Sequence, residues 1–218
     1  TGMSPSRCGN MGETTIEITG SGFTSNAKVY LTSDTLEIAA RIIVVKNSTI
    51  LYATFETLGL PLTFFEVEVR DQRLIFGGEG SVTVEDVTSR LPRALQIIEG
   101  AGGSLDLRLE TRGVARAGRP FDTWVVYANR GDADILSPLI LLHGDEECRF
   151  TIEGDDYTYL GTAQILGISS SGPQNRLRPG QSEKVRVSVL APVDVDAVDL
   201  ELSLLAQTGA GLTTGPDV

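Results

Sequence analysis

"TTIEITGSGFTSNAKVYL", residues 14–31, decides the fold of this chain. Ile16 and Ile18 lie two positions apart, so both point to one face of an extended strand. The glycine-rich stretch at residues 20–22 interrupts that strand, and a second alternating run leads through Val29. Brief apolar alternation between turn residues is typical of β-structure, because an amphipathic helix repeats its apolar positions every three to four residues.

The same alternation recurs along the rest of the chain. Further predicted strands cover residues 27–31, 36–45, 49–55, 64–70, 81–84, 104–111, 121–129, 136–142, 163–168, 183–190 and 198–204, with a glycine-rich turn at residues 77–80. Many short strands joined by tight turns are typical of β-sandwiches, so the sequence predicts an all-β fold.

Composition and charge restrict the possible functions. The 218 residues are 41% hydrophobic and 22% charged, which is ordinary for a globular chain with room for one large or two small domains. Eighteen basic and 29 acidic residues give a net charge of -11, which repels nucleic acid on average. No run approaches the roughly 20 apolar residues of a membrane span. We therefore expect neither nucleic-acid binding nor membrane insertion.

The chain begins without the basic and apolar regions of a signal peptide. This beginning suggests a piece cut from a longer protein.

The strand pattern divides the chain into two parts. Residues 1–86 are predicted to form one sandwich and residues 103–206 a second, followed by a small, polar tail at residues 207–218. The stretch between the sandwiches, residues 87–102, contains a proline and glycines and is interpreted as a linker. Its apolar residues Leu95, Ile97 and Ile98 are expected to pack at the junction of the two domains.

The first part resembles the IPT/TIG immunoglobulin-like domain. That family opens with a lead rich in proline and glycine, then a strand, the motif G-x-G-F and a strand carrying valine. The matching residues here are Pro5, Gly9, Gly12, Ile16, Ile18, Gly20, Gly22, Phe23 and Val29. Residues 47–71 resemble the family's continuation, except that Thr63, Phe64 and Phe65 stand where the family usually has glycine and tyrosine. The resemblance covers residues 4–86.

The second part is similar to CARDB-like and related immunoglobulin-like modules of bacterial surface proteins. The matching residues are Gly118, Arg119, Pro120, Phe121, Val125, Tyr127, Asn129, Gly131 and Asp132, then Pro138, Leu139, Leu177, Pro179, Gly180 and Gln181. The resemblance covers residues 103–206.

The two resemblances imply a pair of tandem immunoglobulin-like β-sandwiches without catalytic activity. Such modules serve as spacers or adhesion modules in larger secreted or cell-surface proteins. Their partners would be other domains of the same chain, or protein or glycan at a cell surface. The alternative is a carbohydrate- or substrate-binding accessory region of an extracellular enzyme.

Arg130, Gly131 and Asp132 spell the tripeptide that many adhesive proteins present to integrins. Asn129, Gly131 and Asp132 are residue types that tolerate the positive φ and local hydrogen bonds of a turn that leaves a strand. The sequence therefore favours a turn between two strands, and integrin binding is the alternative.

Acidic residues lie on this turn and in a later loop at residues 144–158. Four of them are candidate calcium ligands: Asp132, Asp134, Asp155 and Asp156. Ca²⁺ takes six to eight oxygen ligands, which convergent acidic loops can supply in part. No EF-hand-like pattern is present, so a solvated acidic loop is the favoured interpretation and Ca²⁺ the one cofactor to test.

His143 is the sole histidine, and Cys148 follows five residues later. A nucleophile and its base need an orienting third group, and no such pattern is present in the sequence. We therefore expect no catalysis. Cys8 and Cys148 are the only cysteines, and the sequence leaves open whether they are bridged or free.

Trp124 and Tyr127 lie in one predicted strand. A strand tryptophan in such sandwiches usually belongs to the core, so we expect Trp124 there, with a sugar-binding platform formed by both rings as the alternative.

Overall fold

The computed structural model describes residues 2–76, 82–111, 116, 118–173, 175–195 and 197–205. All regular secondary structure within these ranges is β-strand. The prediction of an all-β fold is therefore confirmed. The predicted turn at residues 77–80 and the predicted tail at residues 207–218 lie outside the described residues.

The chain forms two compact units. Unit 1 comprises Thr1–Gly103 together with Gly131–Asp134, and unit 2 comprises Ser104–Arg130 and Ile135–Val218. Unit 1 is thus completed by four residues that come from the middle of the unit 2 sequence.

The described residues of unit 1 form two β-sheets. Its strands are β1 (Gly2–Ser4), β2 (Arg7–Gly9), β3 (Glu13–Thr19), β4 (Lys28–Thr32), β5 (Glu37–Ala39), β6 (Ile42–Asn47), β7 (Ile50–Glu56), β8 (Phe64–Phe76) and β9 (Val82–Ile98). One sheet has the strand order β1-β3-β7-β6 and the other β2-β9-β8-β4-β5. Neighbouring strands are antiparallel except β2 and β9, which are parallel.

Side chains from both sheets of unit 1 build one core. Ile16 and Ile18 of β3 are fully buried, as is Leu31 of β4. Phe65 of β8 is fully buried in the same core. The alternating apolar side chains of residues 14–31 therefore point into the core, as the sequence pattern predicts.

The residues predicted as a linker belong to a strand. β9 extends through residues 82–98 and pairs with β8 over most of its length, from Phe76 opposite Val82 to Phe64 opposite Gln96. Leu95 and Ile97 are buried in the core of unit 1 rather than at a junction between domains. The linker prediction over residues 87–102 thus differs from the structure up to Ile98.

An irregularity in the pairing explains how β9 contains a proline. The register between β8 and β9 shifts between Phe65 and Val67, and the additional residues of β9 include Pro92 and Arg93. Arg93 has a φ of 50°. Proline lacks a backbone N–H and is tolerated in strands at such bulges.

The part of unit 2 that the structure describes forms three sheets. Its strands are β10 (Leu105–Thr111), β11 (Pro120–Asn129), β12 (Ile135–Leu136), β13 (Leu139–His143), β14 (Arg149–Ile152), β15 (Thr158–Leu160), β16 (Thr162–Leu166), β17 (Arg176–Leu177), β18 (Ser182–Leu190) and β19 (Glu201–Leu204). The strand orders are β10-β11-β18-β14-β15, β16-β13-β19 and β12-β17. All of these pairs are antiparallel.

The core of unit 2 lies between its two larger sheets. Val125 and Tyr127 of β11 meet Ile140 and Leu142 of β13 there, together with Phe150 of β14. Each pair within a strand lies two residues apart, so the second half of the chain also follows the period of two.

Candidate functional site

Asp132, a predicted calcium ligand and the last residue of the adhesive tripeptide, is bound by backbone amides of unit 1. One carboxylate oxygen accepts a hydrogen bond from the N–H of Ala101 and the other from the N–H of Gly102, each at 2.9 Å. The backbone carbonyl oxygen of Asp132 also accepts the N–H of Gly9 at 2.9 Å. These contacts support the structural interpretation of the tripeptide, because both carboxylate oxygens already have protein donors.

Asp134 joins the same unit through β3. Its backbone N–H donates to the carbonyl oxygen of Glu13 at 2.7 Å, and its carboxylate accepts the hydroxyl of Thr15 at 2.5 Å. The hydroxyl of Thr15 also lies 2.7 Å from that of Thr54 on β7. Asp134 therefore ties the segment of residues 131–134 to the sheet that contains β3 and β7.

Asp155 and Asp156 lie in unit 2, between β14 and β15. The carboxylate of Asp155 accepts the hydroxyl of Tyr159 at 2.5 Å and the N–H of Tyr157 at 3.1 Å. The hydrogen bond from Tyr159 lowers the pKa of Asp155 below its usual range. Asp156 is exposed.

The four predicted calcium ligands are divided between the two units, Asp132 and Asp134 in unit 1 and Asp155 and Asp156 in unit 2. Within the described ranges, no three acidic, histidine or cysteine side chains come together as a metal site would need. Calcium binding remains a prediction for these residues, without a cluster of oxygen ligands to support it.

His143 points its ring nitrogens at hydroxyl groups. Nδ1 lies 3.1 Å from the hydroxyl oxygen of Thr162 and Nε2 lies 2.7 Å from that of Ser203. Both partners belong to the strands on either side of β13. The imidazole therefore bridges three strands of one sheet.

Both cysteines are free, buried thiols. Cys8 belongs to the core of unit 1 and Cys148 to the core of unit 2. Burial raises the pKa of Cys8 to about 11 and also raises that of Cys148. A thiol with a raised pKa is a weak nucleophile at neutral pH, because the thiolate is the reactive form.

Trp124 does not lie in the core of unit 2, so that prediction is wrong. Val125 and Tyr127 occupy the inward face of β11, whereas Trp124 is partly exposed and lies opposite Glu110 and Arg186 on the other face. Residues three apart in a strand point to opposite faces. The two rings cannot form one sugar platform, and the Tyr127 hydroxyl instead donates to the carbonyl oxygen of Ile168 at 2.8 Å.

A polar groove, which the sequence pattern does not predict, lies in unit 1 where β4 begins beside β8. It has a volume of about 700 Å³. Side chains of several chemical types line it, including Asn26, Lys28, Tyr30, Gln72 and Asp86. Such a mixture of aromatic, amide and charged groups suits a polar ligand.

An ion-pair network runs beside this groove on the sheet face opposite the core. Glu68 is 3% exposed and contacts Arg70, and it lies 3.0 Å from the guanidinium of Arg90. Arg70 also bonds Glu37 at 2.5 Å and places its guanidinium carbon 4.0 Å from the centre of the Tyr30 ring. The hydrogen bond to Arg70 lowers the pKa of Glu37. The period of two in "FEVEVR", residues 65–70, could have indicated this charged face.

Comparisons with known proteins identify no family. No protein-family model matches the chain, and no curated protein does. Among solved structures, the chain is similar to the class 5 fimbriae chaperone CfaA at 8% identity, with 94% of this chain and 99% of that one covered and a TM-score of 0.24.

No helix that could cross a membrane occurs in the part of the chain that the structure describes.

Proposed function

We propose that this chain is a non-catalytic spacer or adhesion module of a larger secreted or cell-surface protein. It consists of two tandem immunoglobulin-like β-sandwiches, the first of the IPT/TIG type and the second CARDB-like. Its partners are other domains of the same protein and protein or glycan at a cell surface. The support is the all-β architecture, the sequence resemblances and the way in which unit 1 would respond to tension along the chain.

The parallel pairing of β2 with β9 carries this proposal. Arg7, Cys8 and Gly9 lie opposite Gln96, Ile97 and Ile98 in one direction. The chain enters the pair at the N-terminal end of β2 and leaves it at the C-terminal end of β9. Tension between the two ends of unit 1 would therefore pull the strands in opposite directions along their axes. The hydrogen bonds between them would share that load instead of opening one after another.

Additional bonds extend this pair at both ends. The N–H of Gln96 donates to the carbonyl oxygen of Ser6 at 2.9 Å, and the N–H of Asn10 donates to that of Ile98 at 3.0 Å. The Asn10 side chain accepts the N–H of Gly100 at 3.2 Å. A module with these bonds in shear suits a spacer that keeps its fold while neighbouring domains are pulled apart.

Single-molecule force spectroscopy tests the spacer role. The chain is placed between marker domains of known unfolding force, and Asn10→Pro is compared with Asn10→Ala. Proline removes the backbone N–H that bonds Ile98, whereas alanine removes only the side chain. We expect unit 1 to unfold at a clearly lower force in Asn10→Pro than in Asn10→Ala, since forced unfolding is governed by the unfolding barrier. Unfolding of wild-type unit 1 at negligible force would contradict the proposal.

The groove beside Tyr30 favours a second candidate, a carbohydrate-binding accessory region of an extracellular enzyme. A glycan array distinguishes the two roles. Binding that is lost in Lys28→Ala or Gln72→Ala would favour the accessory role, since both side chains line the groove. An array without binding, together with adhesion of the chain to cells or to itself, would favour the surface module.

A further inference from the structure

β9 has a long edge that carries no strand partner among the described residues. β8 covers one side of β9 along its length, whereas β2 covers the other side only at Gln96–Ile98. The side chains of residues 82–86 and 88–90 are exposed. A strand edge of this kind presents backbone N–H and carbonyl groups to any chain that can pair with them.

The usual devices that protect a strand edge are few between Val82 and Leu91. Proline and the bulge follow only at Pro92 and Arg93. Val84, Val87 and Thr88 are residue types that favour strands. Charged side chains are the remaining protection, so the pattern of these charges decides which strand can pair there.

We infer that this edge binds a second copy of the chain, with the two β9 strands antiparallel about a two-fold axis at Thr88. In this register, Thr88 lies opposite Thr88 of the second copy. Asp86 lies opposite Arg90 of the second copy, and the symmetry repeats that pair on the other side of the axis. Opposite charges directly across an antiparallel pair are stabilising. The interface is self-complementary, as a two-fold interface must be.

Charge and backbone geometry together select this register over its two neighbours. Moving the axis by one residue to Val87 would place Asp86 opposite Thr88 and leave both Asp86 and Arg90 without opposite charges across the axis. Moving it to Ser89 would place Glu85 opposite Arg93, but Arg93 lies in the bulge with a φ of 50° and is outside the regular pairing. Arg90 already bonds Glu68, but a guanidinium has five donors and can serve a second carboxylate. The paired segment is short, which indicates a dimer that dissociates on dilution. This inference does not rest on the proposed spacer role.

Sedimentation velocity over a wide range of concentrations tests the dimer. We expect the wild-type chain to dimerise reversibly and Asp86→Arg to remain monomeric, because the new guanidinium would face that of Arg90 in the second copy. Asp34→Arg, the same charge change at an exposed turn residue, should dimerise like the wild type. Arg90→Glu alone should also be monomeric. An equal mixture of Asp86→Arg and Arg90→Glu should form heterodimers, because every pair across the axis is then of opposite charge.

A crosslink tests the register independently of charge. Opposite residues of an antiparallel pair have Cα atoms within the range that a disulfide spans. Thr88→Cys should therefore form a disulfide-linked dimer on mild oxidation, whereas Ser48→Cys, exposed in the turn between β6 and β7 of the other sheet, should not. Cys8 and Cys148 are buried and do not compete. A wild-type chain that is monomeric at every concentration would overturn the inference and leave this edge to a strand of another protein. Equal crosslinking of the two cysteine variants would also overturn it.

Discussion

The backbone N–H of Gly9 donates a 2.9 Å hydrogen bond to the backbone carbonyl oxygen of Asp132. Gly9 ends β2, whereas Asp132 belongs to the four residues that complete unit 1 from far along the chain. The backbones of Gly9 and Gly100 lie close together beside Asp132, because neither residue has a side chain. A Cβ on Gly100 would lie 2.5 Å from the Cα of Gly9, a separation that real atoms do not tolerate.

Gly100→Ala should destabilise unit 1, because the new methyl group would meet backbone rather than a movable side chain. Forced overpacking of this kind costs about 1–3 kcal/mol or more. Gly59→Ala is the control, since its Cβ would meet nothing within 4 Å and only its φ of 73° opposes alanine, at about 1–2 kcal/mol. Denaturant unfolding followed by circular dichroism measures both. A loss in Gly100→Ala no larger than that in Gly59→Ala would show that the contact relaxes easily.

Asp132→Ala should also destabilise unit 1, because it removes the acceptors of the Ala101 and Gly102 amides. The larger part of the loss comes from the Gly102 amide, which is buried and would be left unpaired, at about 1–3 kcal/mol. The bond from Ala101 is exposed and contributes less, because water can replace the carboxylate. Asp132→Asn keeps one acceptor and should lie between the alanine variant and the wild type.

Glu56→Ala is the matched control for this prediction, because Glu56 belongs to the same unit. Glu56 bonds Arg41 at the surface, 2.9 Å away, and such pairs contribute about 0–1 kcal/mol. Equal free energies of unfolding of unit 1 in Asp132→Ala and Glu56→Ala would refute the assigned role of Asp132.

The all-β fold could be predicted because it depends on local pattern. Ile16, Ile18 and Phe65 are buried in the phase that alternation indicates. The strand over residues 87–98 could not be predicted in this way. Proline usually indicates a turn, but Pro92 lies at a bulge that forms where β9 pairs with β8. Local composition cannot reveal which distant strand accommodates a proline.

The roles of Asp132 and Trp124 show two other limits. Asp132 lies on a turn, as its residue type suggests, but the amides that it binds are about 30 residues away in sequence. No local pattern contains that contact. For Trp124 the sequence pattern was sufficient to predict its position outside the core. Val125 and Tyr127 define the inward face of β11, and Trp124 is out of phase with them.

Tyr159→Phe should raise the pKa of Asp155. The Tyr159 hydroxyl donates to the Asp155 carboxylate, and this bond is the main cause of the lowered pKa. A carboxyl with a lowered folded-state pKa contributes stability above its unfolded pKa, and that stability is lost as the pH falls through the folded-state value. NMR titration of the Asp155 carboxyl carbon measures the change, with Tyr157→Phe as control because Tyr157 binds Asp155 through its backbone. An unchanged titration in Tyr159→Phe would contradict the hydrogen bond.

Tyr127→Phe should make the stability of unit 2 less sensitive to alkali. Burial raises the pKa of Tyr127 to about 12 from 10, so the folded state holds the proton more tightly than the unfolded state does. The contribution of the Tyr127 hydroxyl to the stability of unit 2 is therefore fully present below pH 10 and is lost as the pH rises through about 12. At neutral pH the variant should be less stable by about 1 kcal/mol, because it lacks the hydrogen bond to Ile168.

The difference between wild type and Tyr127→Phe should consequently shrink as the pH rises above 10. Denaturant unfolding followed by the fluorescence of Trp124, which reports on unit 2, measures it at each pH. Tyr157→Phe is the control, because Tyr157 is 72% exposed, in contrast to Tyr127. A constant difference in stability between wild type and Tyr127→Phe across this pH range would contradict the prediction. Tyr127 would then have the same pKa in the folded and unfolded states, and burial would not raise it.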